Sequence, residues 1–288
     1  MTRFLTPKNT SGQTLPTMYD LPSEFPEEPG LPDYFHFLQP LLLYLSFSPL
    51  NYPRERFFCG ADMNVYYDPE HTLRHKRPDW FAAVGVPEFY DGKDLRLSYV
   101  TWAEVANPFV VVELLSPGTE KEDLGQTQRQ NGELPTKWEV YEQILKIPYY
   151  FIFSRYTNEG KAYRLGENGY EEMAAVNRKW LVPELGLSLG IWSGEFERSK
   201  RQWLRWFTLE GELIAVDKEK IAQVKAEIEV IRERLIQAEE EAEDARERII
   251  QARQETQEAR QEAAKAKQEK EQLLAKLKEL GIDPDEIS

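Results

Sequence analysis

A single cysteine, Cys59, stands in 288 residues, so no disulfide can form within the chain and a reducing cytoplasm is the expected compartment. Three histidines, His36, His71 and His75, make no zinc pattern with it. No apolar run is long enough for a leader or a membrane span. The most apolar window, "FLQPLLLYLSFSPL" over 37–50, is short and broken by proline. Basic charge is also scarce: 36 Lys and Arg face 50 Asp and Glu, the net charge is −14 and the pI is about 4.9. A broad basic surface for gripping nucleic acid is therefore not expected. From 217 to 282 there is no Trp, Tyr, Phe or Pro, and Gly occurs only at 281. A packed globular core is excluded there.

What is present divides at that point. Residues 1–34 hold Pro16, Pro22, Pro26, Pro29 and Pro32 and are expected to form an extended arm. Residues 35–215 carry nearly all the aromatics and are expected to form one α/β domain. Residues 217–282 are expected to form a helix. The acidity is shared: fourteen Lys and Arg meet twenty Asp and Glu from 217 on, and twenty-two meet thirty before it.

The helical segment repeats apolar residues at alternating spacings of three and four over about nine heptads. Ile221, Val224, Ile228, Ile231 and Leu235 open the series, alanines fill its middle, and Leu273, Leu277 and Leu280 close it. In a parallel dimer Glu227 would meet Arg232, Arg234 would meet Glu239, and Glu241 would meet Arg246. Glu255 with Arg260 and Glu262 with Lys267 are also attractive; Arg248 with Arg253 is the repulsive pair. Each exposed pair is worth a few tenths of a kcal/mol, so the charges select orientation more than they stabilise. The expectation is a parallel homodimeric coiled coil; a single solvated helix is the alternative.

Within the globular part, "YFHFLQPLLLYLSF" is expected to be a short helix, and Phe58 to Tyr66 a strand. "RPDWFAAVG" is expected to be a second strand, 88–107 a long connection, and "PFVVVELLS" a third strand. "PTKWEVYEQILK" has helical spacing, and Thr136 with Glu139 forms a capping-box signature. "IPYYFIFS" is another strand, and "KAYRL" and "YEEMA" around "GENG" are a hairpin. The order predicts a mixed central β-sheet flanked by helices, with 109–154 as a parallel strand–helix–strand unit.

"FVVVELLSPGT", 109–119, places Glu113 among six large apolar residues. Both faces of such a strand are covered, so its carboxylate needs a cation, a metal or an opening to water. Taken alone, Glu113 fits a structural ion pair somewhat better than a functional group. Asp79 in "RPDW" opens a strand of the same expected sheet, and two carboxylates from strand ends can share a hard cation such as Mg²⁺. Lys137 falls at the first position of a helix, where a cation opposes the helix dipole, and Tyr141 lies one turn on.

"RPDWFAAVGVP", "PFVVVELLSPGTEKEDLG" and "PTKWEVYEQILKIPYYFIF", in this order, resemble the Uma-type restriction endonucleases within the PD-(D/E)xK nuclease superfamily. The resemblance spans roughly 55–207. It implies a restriction-endonuclease-like core and metal-dependent hydrolysis of phosphodiesters in nucleic acid, DNA above all. It implies Asp79, Glu113 and Lys137 as catalytic residues, Asp79 and Glu113 as ligands of Mg²⁺ or Mn²⁺, and Asp123 and Tyr141 in support. Leu115 stands where the simplest form of the motif has lysine; Lys137 on the following helix takes that role. Asp62 is a further candidate carboxylate. Two alternatives remain open: a silent nuclease fold working as a scaffold through its coiled coil, or hydrolysis of another phosphate ester.

Overall fold

The computed structural model describes residues 12, 14–21, 33–116, 120–127 and 134–279. Most of the expected proline-rich arm, and residues 117–119 of the turn after Glu113, lie outside them. The chain divides into two compact units, 1–217 and 218–288.

The first unit opens with α1 (Tyr34–Ser46). The strands then run β1 (Phe57–Ala61), β2 (Val65–Tyr66), β3 (His75–Lys76), β4 (Trp80–Val84), β5 (Tyr99–Val100) and β6 (Val110–Leu114). After α2 (Glu120–Asp123) and α3 (Lys137–Glu139) come β7 (Tyr149–Ser154), β8 (Glu159–Gly166) and β9 (Gly169–Glu172). Strands β10 (Lys179–Val182), β11 (Leu187–Phe196) and β12 (Ser199–Thr208) close the unit.

The central sheet has the order β1-β4-β6-β7-β8-β9. β6 and β7 are parallel, joined through α2 and α3; the other neighbours are antiparallel. The sheet is therefore mixed, with helices against it, as the sequence predicts. β6 is buried at every residue because both its faces are covered. Val110, Val112 and Leu114 join a core with α1 and the tryptophans of β12, whereas Val111 meets Val140, Tyr141 and Tyr150. Each fully buried large side chain of this kind contributes about 1.5–3 kcal/mol.

α1 is fixed at both levels. Asp33 caps it by accepting from the Phe35 and His36 N–H groups. Buried Gln39 accepts from the Leu204 N–H at 2.9 Å and donates to the Leu204 carbonyl at 2.8 Å, so its amide pairs with β12 as a neighbouring strand would.

Three elements differ from expectation. The strand expected over 58–66 is two strands in different sheets, because Asp62 turns the chain with φ 48° and its N–H goes to the Pro78 and Asp79 carbonyls. The connection over 88–107 contains β5, whose buried Tyr99 and Val100 pair with β2 in parallel. The helix after Thr136 makes one α turn and then a π turn, Val140–Ile144, closed by the Leu145 N–H on the Val140 carbonyl. β10 and β11 have no counterpart in the sequence expectations.

Nearly all of α4 (Asp217–Glu279), 63 residues in one helix, belongs to the second unit. Its apolar seam is exposed in the single chain, including Ile221, Val224, Ile228, Ile231 and Leu235. Among the described residues no helix is long and apolar enough to cross a membrane.

Candidate active site

Glu113, the fourth residue of β6, has no exposed surface. Antiparallel pairing sets Trp80 against Val112, so one step further Asp79 meets Glu113. Asp79 is held there by its own Oδ2, which accepts from the Leu114 N–H at 2.7 Å. The two carboxyls are close enough for the charge on each to act on the other.

Lys137 and Tyr141 arrive from the other side. Lys137 Nζ lies 2.8 Å from Glu113 Oε2 and 3.6 Å from Asp123 Oδ1. The Tyr141 hydroxyl donates to Glu113 Oε1 at 2.8 Å. Residues four apart share a helix face, which is why both reach one carboxylate. Their helix is started by a complete capping box: the Thr136 side chain accepts from the Glu139 N–H, and the Glu139 carboxylate accepts from the Thr136 N–H. Trp138 anchors the outer side against Tyr150, Tyr163 and Tyr170. Gly125, at φ 68°, lets α2 come close, since a Cβ there would lie 2.7 Å from the Trp138 ring. The Tyr150 hydroxyl on the Asp123 carbonyl then fixes the α2 end of the cluster.

The electrostatics follow from burial and from the excess of carboxyls. Burial pushes Glu113 up to about 7, opposed by Lys137 and reinforced by Asp79. Asp79 is also raised, by burial, against the pull of Lys137 and the Leu114 N–H. Burial alone would pull the Lys137 ammonium down, but Glu113, Asp123 and Asp79 outweigh it and hold its pKa above the ordinary value. One lysine does not neutralise both Asp79 and Glu113. The pair must share a proton or a further cation.

The donor set at the pair is oxygen only, which suits a hard divalent ion. Among the described residues no group of three His, Cys, Asp or Glu is arranged around one point. Two carboxylates fit an ion that keeps several waters and binds substrate phosphate, as Mg²⁺ does, rather than a closed protein cage.

The five residues Asp79, Glu113, Asp123, Lys137 and Tyr141 thus meet in one cluster. Asp62 does not join its side chain to them: its carboxylate holds Arg77 at 2.8 Å. Sequence reasoning missed His36. This buried side chain on α1 places Nδ1 3.0 Å from Asp33 and Nε2 3.2 Å from both the Leu114 carbonyl and Ser116 Oγ. The available signal was a lone histidine in the otherwise apolar stretch "YFHFL".

No curated protein matches. Among solved structures, "a putative nuclease belonging to DUF820" from Anabaena variabilis ATCC 29413 is similar at 13% identity and a TM-score of 0.37. The match covers 59% of this chain and 90% of that one. The model of the Uma2 family, described as "Putative restriction endonuclease", matches residues 15–199. With well over half of its length inside that match, the chain belongs to the Uma2 restriction-endonuclease family.

Proposed function

We propose that the protein is a metal-dependent endonuclease that hydrolyses phosphodiester bonds, with DNA as its substrate and Asp79, Glu113 and Lys137 as its catalytic residues. One observation carries this reading. The buried Glu113 carboxylate is bracketed by a second carboxyl and by a lysine at 2.8 Å, at the end of a central strand. A purely structural pair would need one carboxylate per lysine, whereas this cluster keeps a surplus of negative charge. Asp79 and Glu113 would hold Mg²⁺ or Mn²⁺. A divalent ion bound there acidifies its water and neutralises the phosphate. Lys137 would place its ammonium against charge developing on the phosphate. Tyr141 fixes the orientation of Glu113, and Asp123 keeps Lys137 charged and in place.

We further infer that α4 pairs with a second copy as a parallel coiled coil, bringing two sites together as the cutting of two strands requires. Its exposed apolar seam supports this reading. The free thiol and the lack of a spanning helix among the described residues suit a cytoplasmic protein. The acidity of the chain favours a second substrate class, small phosphate esters, over long duplexes.

The test is incubation of the full chain with plasmid, single-stranded DNA, RNA and phosphate esters in Mg²⁺ or Mn²⁺, beside Asp79→Ala and Lys137→Ala. Cleavage of DNA by the wild type alone supports the reading. Equal cleavage by all three proteins defeats the site assignment, and inert wild type on every substrate leaves the fold as a scaffold.

A further inference from the structure

Two arginines crowd the sheet edge where β6 ends. Leu114 pairs with Phe153 in the parallel register, so Arg155, just past β7, stands at the edge that carries Glu113. Arg201 comes to the same place from β12. Its guanidinium lies 4.2 Å from the Phe35 ring centre, and that of Arg155 lies 5.6 Å from the same ring. Among the described residues the carboxylate beside them is Asp33, and both its oxygens are already engaged. Oδ2 accepts from Arg155 at 2.6 Å. Oδ1 accepts from two backbone N–H groups of α1 and faces His36 Nδ1 at 3.0 Å.

Arg201 therefore has no ion pair among the described residues. It donates to the carbonyls of Gln202 and Arg155, both at 3.3 Å. These are long contacts to neutral acceptors for a half-buried guanidinium. Burial and the neighbouring Arg155 charge pull its pKa below the ordinary arginine value, against the opposing Asp33 charge, and among the described residues two guanidiniums here face one carboxylate. Stacking over Phe35, and over Trp203 at 5.3 Å, uses the face of the guanidinium and leaves donors on its edge. A planar fork of donors with spare capacity is the group that recognises phosphate in bidentate fashion. The place is also wired to the carboxylates: Asp33 meets His36, His36 meets the Leu114 carbonyl, and the Leu114 N–H holds Asp79.

We propose that Arg201, with Arg155, forms a phosphate subsite that holds a second phosphate of the nucleic-acid chain beside the one at Asp79 and Glu113. This assignment rests on the nuclease reading for its ligand. It also accounts for how an acidic protein can grip a polyanion: through a built local site, not a basic surface.

The experiment is anisotropy titration of a 3′-fluorescein single-stranded oligonucleotide with the full chain, in Ca²⁺, at several salt concentrations. The oligonucleotide carries either a 5′-hydroxyl or a 5′-phosphate. Arg201→Gln should weaken binding at least fivefold and lower the slope of log affinity against log salt by about one. Arg201→Lys should keep the slope and lose at least threefold, because the fork is gone. Loss with both oligonucleotides assigns the subsite to an internal phosphodiester; loss only with the phosphorylated one assigns it to a terminal monoester. Wild-type affinity and slope in Arg201→Gln overturn the proposal, as does absence of binding by the wild type. Should Arg201→Gln melt below the assay temperature, wild-type affinity in Arg201→Lys overturns it instead. Cleavage in Mg²⁺ by wild type and Glu113→Gln separates the two readings. Arg201-dependent binding without Glu113-dependent cleavage keeps the subsite and sinks the hydrolase. Glu113-dependent cleavage with Arg201-independent binding sinks the subsite alone.

Discussion

Glu113 and Glu255 are the same side chain in two solvents. Glu113 has no exposed surface, and each of its oxygens is taken by one donor at 2.8 Å. Glu255 sits exposed on α4, where Gln251, one turn away, donates to it at 3.1 Å. In water a carboxylate is ordinary and nearly free of consequence. Inside a sheet it dictates what must surround it. The body concentrates its charge energy in a few buried groups, while α4 spreads its charge over a surface where each pair is worth a few tenths of a kcal/mol.

The sharpest way to break this comparison is Glu113→Ala. It leaves the Lys137 ammonium and Tyr141 hydroxyl in the interior without their acceptor. A stability loss of about 3–5 kcal/mol is expected in urea denaturation, with loss of cleavage. The same change at Glu255 should stay within about 0.5 kcal/mol. Similar losses at both sites would mean that burial does not set the scale.

Next in size is the pH dependence. Glu113 is raised from its ordinary value to about 7 in the fold, so between about 4.5 and 7 the folded chain binds more protons than the unfolded one. Its contribution is fully present below pH 4.5 and is lost as pH rises through 7. Stability should therefore fall by a few kcal/mol across that window. Glu113→Gln should flatten the profile, and saturating Mg²⁺ should flatten it too if the ion replaces the proton. A profile that is the same in Glu113→Gln would assign the slope elsewhere.

Removal of 217–288 comes third, and tests whether α4 acts only by association. Sedimentation should show a dimer becoming a monomer, with the melting of the remaining body at a fixed protein concentration moving by only a few degrees. A monomer before and after removal eliminates the coiled coil.

The smallest effect on stability is expected from Thr136→Ala, about 1 kcal/mol from loss of a helix cap. Its effect on cleavage should be larger than that loss accounts for, because Lys137 is the next residue. Unchanged cleavage would show that the lysine finds its place without the cap.

Much of this was readable in order of residues. Seven consecutive residues around Glu113 with one charge announced a central strand, and spacing of four announced that Lys137 and Tyr141 share a face. The capping box was legible because its two partners lie three residues apart. What stayed hidden depends on contacts between distant segments. Asp62 breaks a strand that alternates well on paper, since its left-handed turn is bound to the Pro78 and Asp79 carbonyls. His36 joins the site only because α1 packs across the end of β6, 78 residues away in sequence. Arg201 is further still in sequence from Phe35, the ring on which it stacks. The π turn at Val140–Ile144 left no pattern that periodicity could detect.

The absence of a lysine at Leu115 has one last consequence. A lysine on the strand would be as rigid as the sheet. Lys137 is instead delivered by a separate piece of chain, and its station depends on Thr136, Glu139 and the contact of Gly125 with Trp138. The carboxylates and their cation are thus detachable from each other. Anything that loosens 134–145 would withdraw the cation and leave the sheet standing, and amide exchange in that stretch faster than in β6 would reveal it.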